Sequence, residues 1–156
     1  MTFTERGGWW VVGQMALLGL YGLGLLGTDS VTEGVALGFA QGSGLALIAV
    51  AIVIGVWSLG LIRRSLSLFP APTSDALLVR KGPFRLVRHP IYLAVVLGTI
   101  GVALVALNPS ALVVALVFVP FFMAKSGHEE DLLMERFFEY REYRSTVPYR
   151  LIPWVL

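Results

Sequence analysis

The sequence predicts an all-α polytopic membrane protein of about four transmembrane helices, with a C-terminal helical hairpin flanked by polar segments that carry the chemistry. Three observations predict it. Of the 156 residues, 56% are hydrophobic and only 14% charged, whereas a soluble domain of this length carries about a quarter charged residues; with a mean hydropathy of +0.78, lipid is the expected solvent. Four apolar runs without a single charge cover 9–26, 35–62, 91–107 and 110–124. All basic residues fall on one side of the membrane once four spans are drawn.

The first run follows a short segment with one Glu and one Arg, and no A-x-A site comes after it, so it reads as a retained membrane helix and not as a cleaved leader. Trp9 and Trp10 suit the aromatic belt at an interface. The second run is long enough to span with tilt. Gly34, Gly38, Gly42 and Ala46 recur every four residues along it; they form either a small-residue ridge that lets another helix approach closely, or merely reflect the abundance of Gly in membrane helices.

The third and fourth runs are shorter than the ~20 residues a span needs. Asn108-Pro109 between them is a turn signal, which predicts a hairpin that crosses, or nearly crosses, the bilayer. Pro120 is placed to kink the fourth helix, and Phe121 and Phe122 fit a second belt.

With four spans, all twelve Lys and Arg share one side, and the other side holds only Asp29, Glu33 and the Asn108-Pro109 turn. The positive-inside rule then predicts that both termini are cytoplasmic. The expected division is an N-terminal two-helix membrane region, 1–62, and a core, 63–156. The chain has no Cys, which excludes disulfides, thiolate catalysis and Cys-ligated zinc. It has no dense basic run of the kind that binds nucleic acid. Spans without ionisable residues argue against ion transport.

Nearly all ionisable residues lie in two polar segments, 63–90 and 125–156. In the first, Phe69-Pro70-Ala71-Pro72 predicts a rigid extended stretch and Gly82-Pro83 a turn. Arg88-His89-Pro90 leads into the third span, with Pro90 suited to the first helical turn. Arg88 and His89 thus sit at a helix N-terminus, a place favourable to anions; on position alone, Arg85 and Arg88 also read as membrane anchors that snorkel. In the second segment, Leu133, Phe137 and Tyr140 give one apolar stripe on a charged helix, the pattern of a helix lying on the membrane surface. His128-Glu129-Glu130 lacks the spacing of a metal site and a second clustered His, so no metal is expected.

The stretch Leu78-Val79, Gly82-Pro83-Phe84-Arg85, Val87-Arg88-His89-Pro90-Ile91-Tyr92 resembles the membrane methyltransferases of the isoprenylcysteine carboxyl methyltransferase and phospholipid methyltransferase superfamily. There an R-H-P-x-Y motif precedes a membrane hairpin, and a Glu-Glu pair, a Tyr-x-x-Tyr segment and a closing I-P follow it. Glu129-Glu130, Phe137, Tyr140, Tyr143 and Leu151-Ile152-Pro153 supply that order here, so the resemblance covers about 69–153. It departs at Lys125, where isoprenylcysteine enzymes have an Arg, and at Phe137-Phe138, where the family's Phe-Gly is missing.

The resemblance implies a cofactor, S-adenosyl-L-methionine, taken from the cytosol, and a lipophilic methyl acceptor that enters from among the membrane lipids. It implies cofactor contacts at Leu78, Val79, Phe84, His89, Pro90, Tyr92 and Glu129, a catalytic group of Arg88, His89 and Glu130, and a substrate-facing Lys125. Methyl transfer from a sulfonium needs alignment, water exclusion and well-placed charges, but no nucleophilic Ser or Cys. Carboxyl O-methylation of the isoprenylcysteine type is the leading expectation; phospholipid or amine N-methylation, and a non-catalytic membrane scaffold that keeps the fold, are the rivals. The small size suggests the inner (cytoplasmic) membrane of a bacterium or archaeon.

Overall fold

The computed structural model describes residues 2–4, 7–27, 35–63 and 78–155. The predicted Phe69–Pro72 stretch, Gly34, and the charges at Arg6, Asp29, Glu33 and Arg64 lie outside them. The described residues form five α-helices and one 3-10 turn: α1 (Gly8–Leu26), α2 (Val35–Ile62), the turn Gly82–Arg85, α3 (Pro90–Val105), α4 (Pro109–Arg136) and α5 (Tyr140–Thr146), with no strand among them.

Three of these, α1, α2 and α4, are long and apolar enough to cross a bilayer. The fourth apolar helix, α3, has 16 residues and is roughly 24 Å long, short of a ~30 Å hydrocarbon core. The chain is therefore an integral, all-helical membrane protein in which three helices are long enough to cross and α3, the expected third span, falls short of the full width. Many large apolar side chains face outward, among them Leu23, Phe39, Val53, Val56 and Val113, as a lipid-facing shell requires.

α3 starts where the sequence predicts, with Pro90 in its first turn, because its missing N–H costs nothing there. α4 starts at Pro109 for the same reason, and its N-cap, Asn108, accepts a hydrogen bond from the Ala111 N–H at 2.8 Å. The Asn108 amide also donates to the Gly24 carbonyl at 3.0 Å, tying the hairpin turn to the end of α1. Ala111, Ala115, Phe118 and Phe122 lie along one face of α4 and are wholly buried. Tyr21 of α1 meets Phe118 edge-on and donates its hydroxyl to the Thr99 carbonyl of α3 at 2.6 Å, so α1, α3 and α4 share one core.

The close helix approach is found on α2, but not at the ridge the sequence suggested. A Cβ on Gly38 or Gly42 would meet nothing within 4 Å. Instead α2 lies along α3 at Gly44, where an added Cβ would come 2.7 Å from the Gly101 carbonyl oxygen, and the converse holds for Gly101 against the Gly44 oxygen. Ala51 against Gly98 and Gly55 against Ala94 continue the seam. The packing face is set by which small residues have small residues opposite, a relation the α2 sequence alone does not contain.

Two further expectations are corrected. The fourth helix does not stop at Ala124 but runs on to Arg136, because 125–136 is rich in helix formers and holds no Pro. The apolar stripe of Leu133, Phe137 and Tyr140 does not ride on one surface helix. The chain turns extended at Phe137 and restarts as α5, folding Tyr140, Tyr143 and Val147 back against Leu78, Leu133, Met134 and Phe137. Two adjacent aromatic residues weaken the helix, and the bend buries both tyrosines.

Candidate functional site

The hairpin brings the R-H-P-x-Y stretch and the Glu-Glu pair together. Arg88 lies just before α3, and Glu130 is on the polar end of α4. The Arg88 Nε donates to Glu130 Oε1 at 2.7 Å, and the side chains are 4% and 1% exposed. Nη1 of Arg88 donates to the carbonyls of Val147 and Pro148, each at 2.7 Å. The snorkelling role that position alone allowed is overturned for Arg88: its charge is buried against a carboxylate. Arg85, by contrast, is exposed.

Glu130 is surrounded by donors. Nε2 of His89 lies 3.2 Å from Oε1, and Arg150 donates from Nε at 3.3 Å and from Nη2 at 3.1 Å. Buried charges persist only when paired and hydrogen-bonded, and here three side chains satisfy one carboxylate. Two backbone bonds lock the arrangement: the Arg88 N–H donates to the Tyr149 carbonyl and the His89 N–H to the Arg150 carbonyl, both at 3.0 Å.

A second layer sits one helical turn toward the membrane. Tyr92 donates its hydroxyl to Glu129 Oε2 at 2.6 Å, and His89 Nδ1 lies 3.7 Å from the same oxygen. The His89, Tyr92 and Phe122 rings stack in a ladder, with centroids 5.5 and 4.6 Å apart and interplanar angles of 4° and 11°. Lys125 is buried, places its ammonium 5.1 Å from the Tyr92 ring centre, and donates to Gln14 Oε1 of α1 at 2.5 Å. Lys125 and Glu129, four residues apart on α4, thus flank the same tyrosine.

Leu78 and Phe84 are joined to this centre through α5, whereas Val79 is placed only as Leu78's half-buried neighbour in the chain. The Tyr143 hydroxyl donates to the Phe84 carbonyl at 2.6 Å, and Leu78 packs against the Tyr140, Tyr143 and Val147 cluster. Burial raises the pKa of both tyrosines well above the usual phenol range, and the Glu130 charge raises that of Tyr140 further. A cavity of about 240 Å³ opens next to them, lined by Arg80, Arg85, Tyr143, Thr146 and Val147. Arg80 is held at its edge by the Glu139 carbonyl at 2.8 Å and by Glu142 at 3.4 Å.

Three participants escape sequence reasoning. Arg150 sits twenty positions from Glu130 in a segment read only for its closing I-P. Tyr143 appears as a motif letter whose hydrogen bond to a backbone carbonyl nothing announces. Gln14 is a lone polar residue in an apolar helix, and that oddity is the signal that could have found it.

Fold and site together define an integral membrane protein whose apolar helix hairpin ends in a buried charge network at the lipid boundary. The chain belongs to the phospholipid methyltransferase family, whose family model matches residues 39–141, well over half its length. It is therefore a member of a family of membrane methyltransferases, as the motifs around Arg88 and Glu129 implied. The matched stretch contains Arg88, His89, Tyr92, Lys125, Glu129 and Glu130; Gln14, Tyr143 and Arg150 lie outside it. No curated protein matches the chain.

Proposed function

We propose that the protein transfers a methyl group from S-adenosyl-L-methionine to a lipophilic acceptor at the cytoplasmic boundary of the membrane. The observation that carries this reading is the meeting of a quarter-exposed carboxylate, Glu129, with a buried cation, Lys125, at the hydroxyl and the ring face of one tyrosine. A polar donor and an oily acceptor need such a two-sided site.

The residues fit the cofactor. Glu129 is a quarter exposed, and only one of its oxygens takes the Tyr92 hydroxyl, which leaves capacity to pair with the cofactor's amino group. The half-buried backbone of Leu78 and Val79 makes no hydrogen bond among the described residues and is free to meet a heterocycle edge. Phe84 and the His89–Tyr92 ladder offer apolar faces beside it, whereas Pro90 is wholly buried and serves only to start α3. When bound, the cofactor supplies an activated methyl on a sulfonium.

The chain's own residues position and exclude. Arg88 and Glu130 clamp the start of α3 to α4 and to the C-terminal segment, so they hold the site without touching the reacting atoms. Orientation of this kind is worth ~7–11 kcal/mol in favourable cases. Nε2 of His89 lies 3.2 Å from Glu130 Oε1, and Nδ1 faces Glu129 at 3.7 Å. A carboxylate acceptor needs no base, and the Lys125 ammonium, which makes no salt bridge among the described residues, supports that class, hence carboxyl O-methylation of the isoprenylcysteine type. An amine acceptor is the second reading, supported by the family description and by Nδ1 of His89 as the atom to receive its proton.

Calorimetric titration of the detergent-purified protein with S-adenosyl-L-methionine tests the first claim. Binding by the unmutated chain and its loss in Glu129→Ala are expected, whereas a chain that binds none is a scaffold. Transfer of labelled methyl into a lipid extract, followed by mild base, then separates the classes: esters release the label and methylamines keep it.

A further inference from the structure

We infer that Gln14 of α1 is a positioning residue of the acceptor site, holding the Lys125 ammonium where the anionic group of a lipophilic molecule meets it. This rests on the reading of Lys125 given above. The family match begins at residue 39, so nothing in it assigns α1 a part in the site.

Lys125 is 3% exposed and makes no salt bridge among the described residues; Glu129, one turn along α4, acts on its charge only from beyond ion-pair distance. Its contacts are the Gln14 carbonyl oxygen at 2.5 Å and the face of Tyr92. A buried ammonium has three N–H donors, and one hydrogen bond with a cation–π contact does not fill them. The remaining donors suit a carboxylate or phosphate oxygen. The other buried Lys or Arg among the described residues, Arg88, already points at Glu130. α1 is fixed for the task, since Trp10 packs edge-on against Phe121 at 5.7 Å and an added Cβ on Gly13 would come within 3.1 Å of the same ring. A carboxylate in place of Gln14 would neutralise Lys125 permanently; an amide holds it and leaves its charge available.

Lys81 and Lys125 are the chain's two lysines, so a protein labelled with ¹³Cε-lysine in phosphatidylcholine nanodiscs gives two signals. Laurate is the anionic probe and dodecanol the uncharged control. Laurate is expected to shift the Lys125 signal and dodecanol to leave it. Gln14→Leu should move that signal without any probe and raise the laurate midpoint roughly tenfold, the effect of losing one hydrogen bond to a charged group. Gln14→Glu should keep the helix packing, read as an unchanged or higher thermal midpoint, and abolish the laurate response. A Lys125 signal unmoved by Gln14→Leu, or laurate midpoints unchanged in both variants, would overturn the inference. A wild-type Lys125 that ignores laurate overturns it together with the anionic-acceptor reading. A normal laurate response in a protein that transfers no methyl sinks the enzymatic reading alone.

Discussion

Arg88 and Glu130, 42 positions apart in sequence, meet at 2.7 Å in a site from which both side chains are almost wholly withdrawn. The pair fastens three segments: the entry to α3, the polar end of α4, and the 147–150 stretch whose carbonyls Arg88 also reaches. Removing one member strands a buried charge. Glu130→Ala is therefore expected to destabilise by about 3–5 kcal/mol, read as a large fall in thermal midpoint in detergent. Arg150→Ala, which removes a donor that is a quarter exposed, should cost distinctly less. Equal losses would show that Glu130 does not serve as the fastener.

The two buried tyrosines of α5 should respond in opposite ways. The Tyr140 hydroxyl is buried with no hydrogen-bond partner among the described residues, so Tyr140→Phe should stabilise by about 1 kcal/mol, whereas Tyr143→Phe, which loses its bond to Phe84, should cost about 1 kcal/mol.

Both phenols have raised pKa values in the fold because burial disfavours the tyrosinate. The folded chain thus holds these protons more tightly than the unfolded chain, whose tyrosines titrate near ~10. Their contribution is complete below that pH and is lost as pH rises above it. Thermal midpoints should fall above about pH 10, and Tyr140→Phe should flatten that fall. A slope unaltered by the substitution would refute the link.

At the α2–α3 seam, Gly101→Ala forces a Cβ to 2.7 Å from the Gly44 carbonyl oxygen, while Gly42→Ala enters open space. The first should lower stability by about 1–3 kcal/mol through overpacking; the second should be near neutral. Thermal scans of both variants side by side check this.

Tyr92→Phe removes the hydroxyl from Glu129 and keeps the ring in its stack with His89 and Phe122. Stability should change by no more than about 1 kcal/mol, while the calorimetric affinity for S-adenosyl-L-methionine should drop by roughly threefold to tenfold, since one such bond is worth about 1 kcal/mol. An unchanged affinity would separate Glu129 from the cofactor.

Much of the fold could be read from the chain, because apolar runs and helix-starting prolines act locally. The bounds of α2 and the Pro90 start follow from composition and N1 chemistry alone, and Asn108-Pro109 marks the hairpin turn. The meeting of Arg88, His89 and Tyr92 with Glu129 and Glu130 was legible through the order of motifs around the hairpin. What was not legible depended on relations between helices. Gly44 can be singled out from Gly38 only with Gly101 opposite it. Arg150 looks like any terminal basic residue until the chain folds it onto Glu130. The apolar run stops at Ala124, so the continuity of α4 was not legible, whereas 125–136 keeps the backbone pattern and changes only its surroundings.

α1 is joined to α4 by an amide at each end: Gln14 to Lys125 on the site side, and Asn108 to the Gly24 carbonyl on the other. Neither join tolerates a slip of even one residue, because a step of 1.5 Å with a 100° rotation carries both groups out of reach at once. The first helix is thus a ruler laid against the fourth, and its setting fixes how deep the ammonium rides relative to the lipid surface.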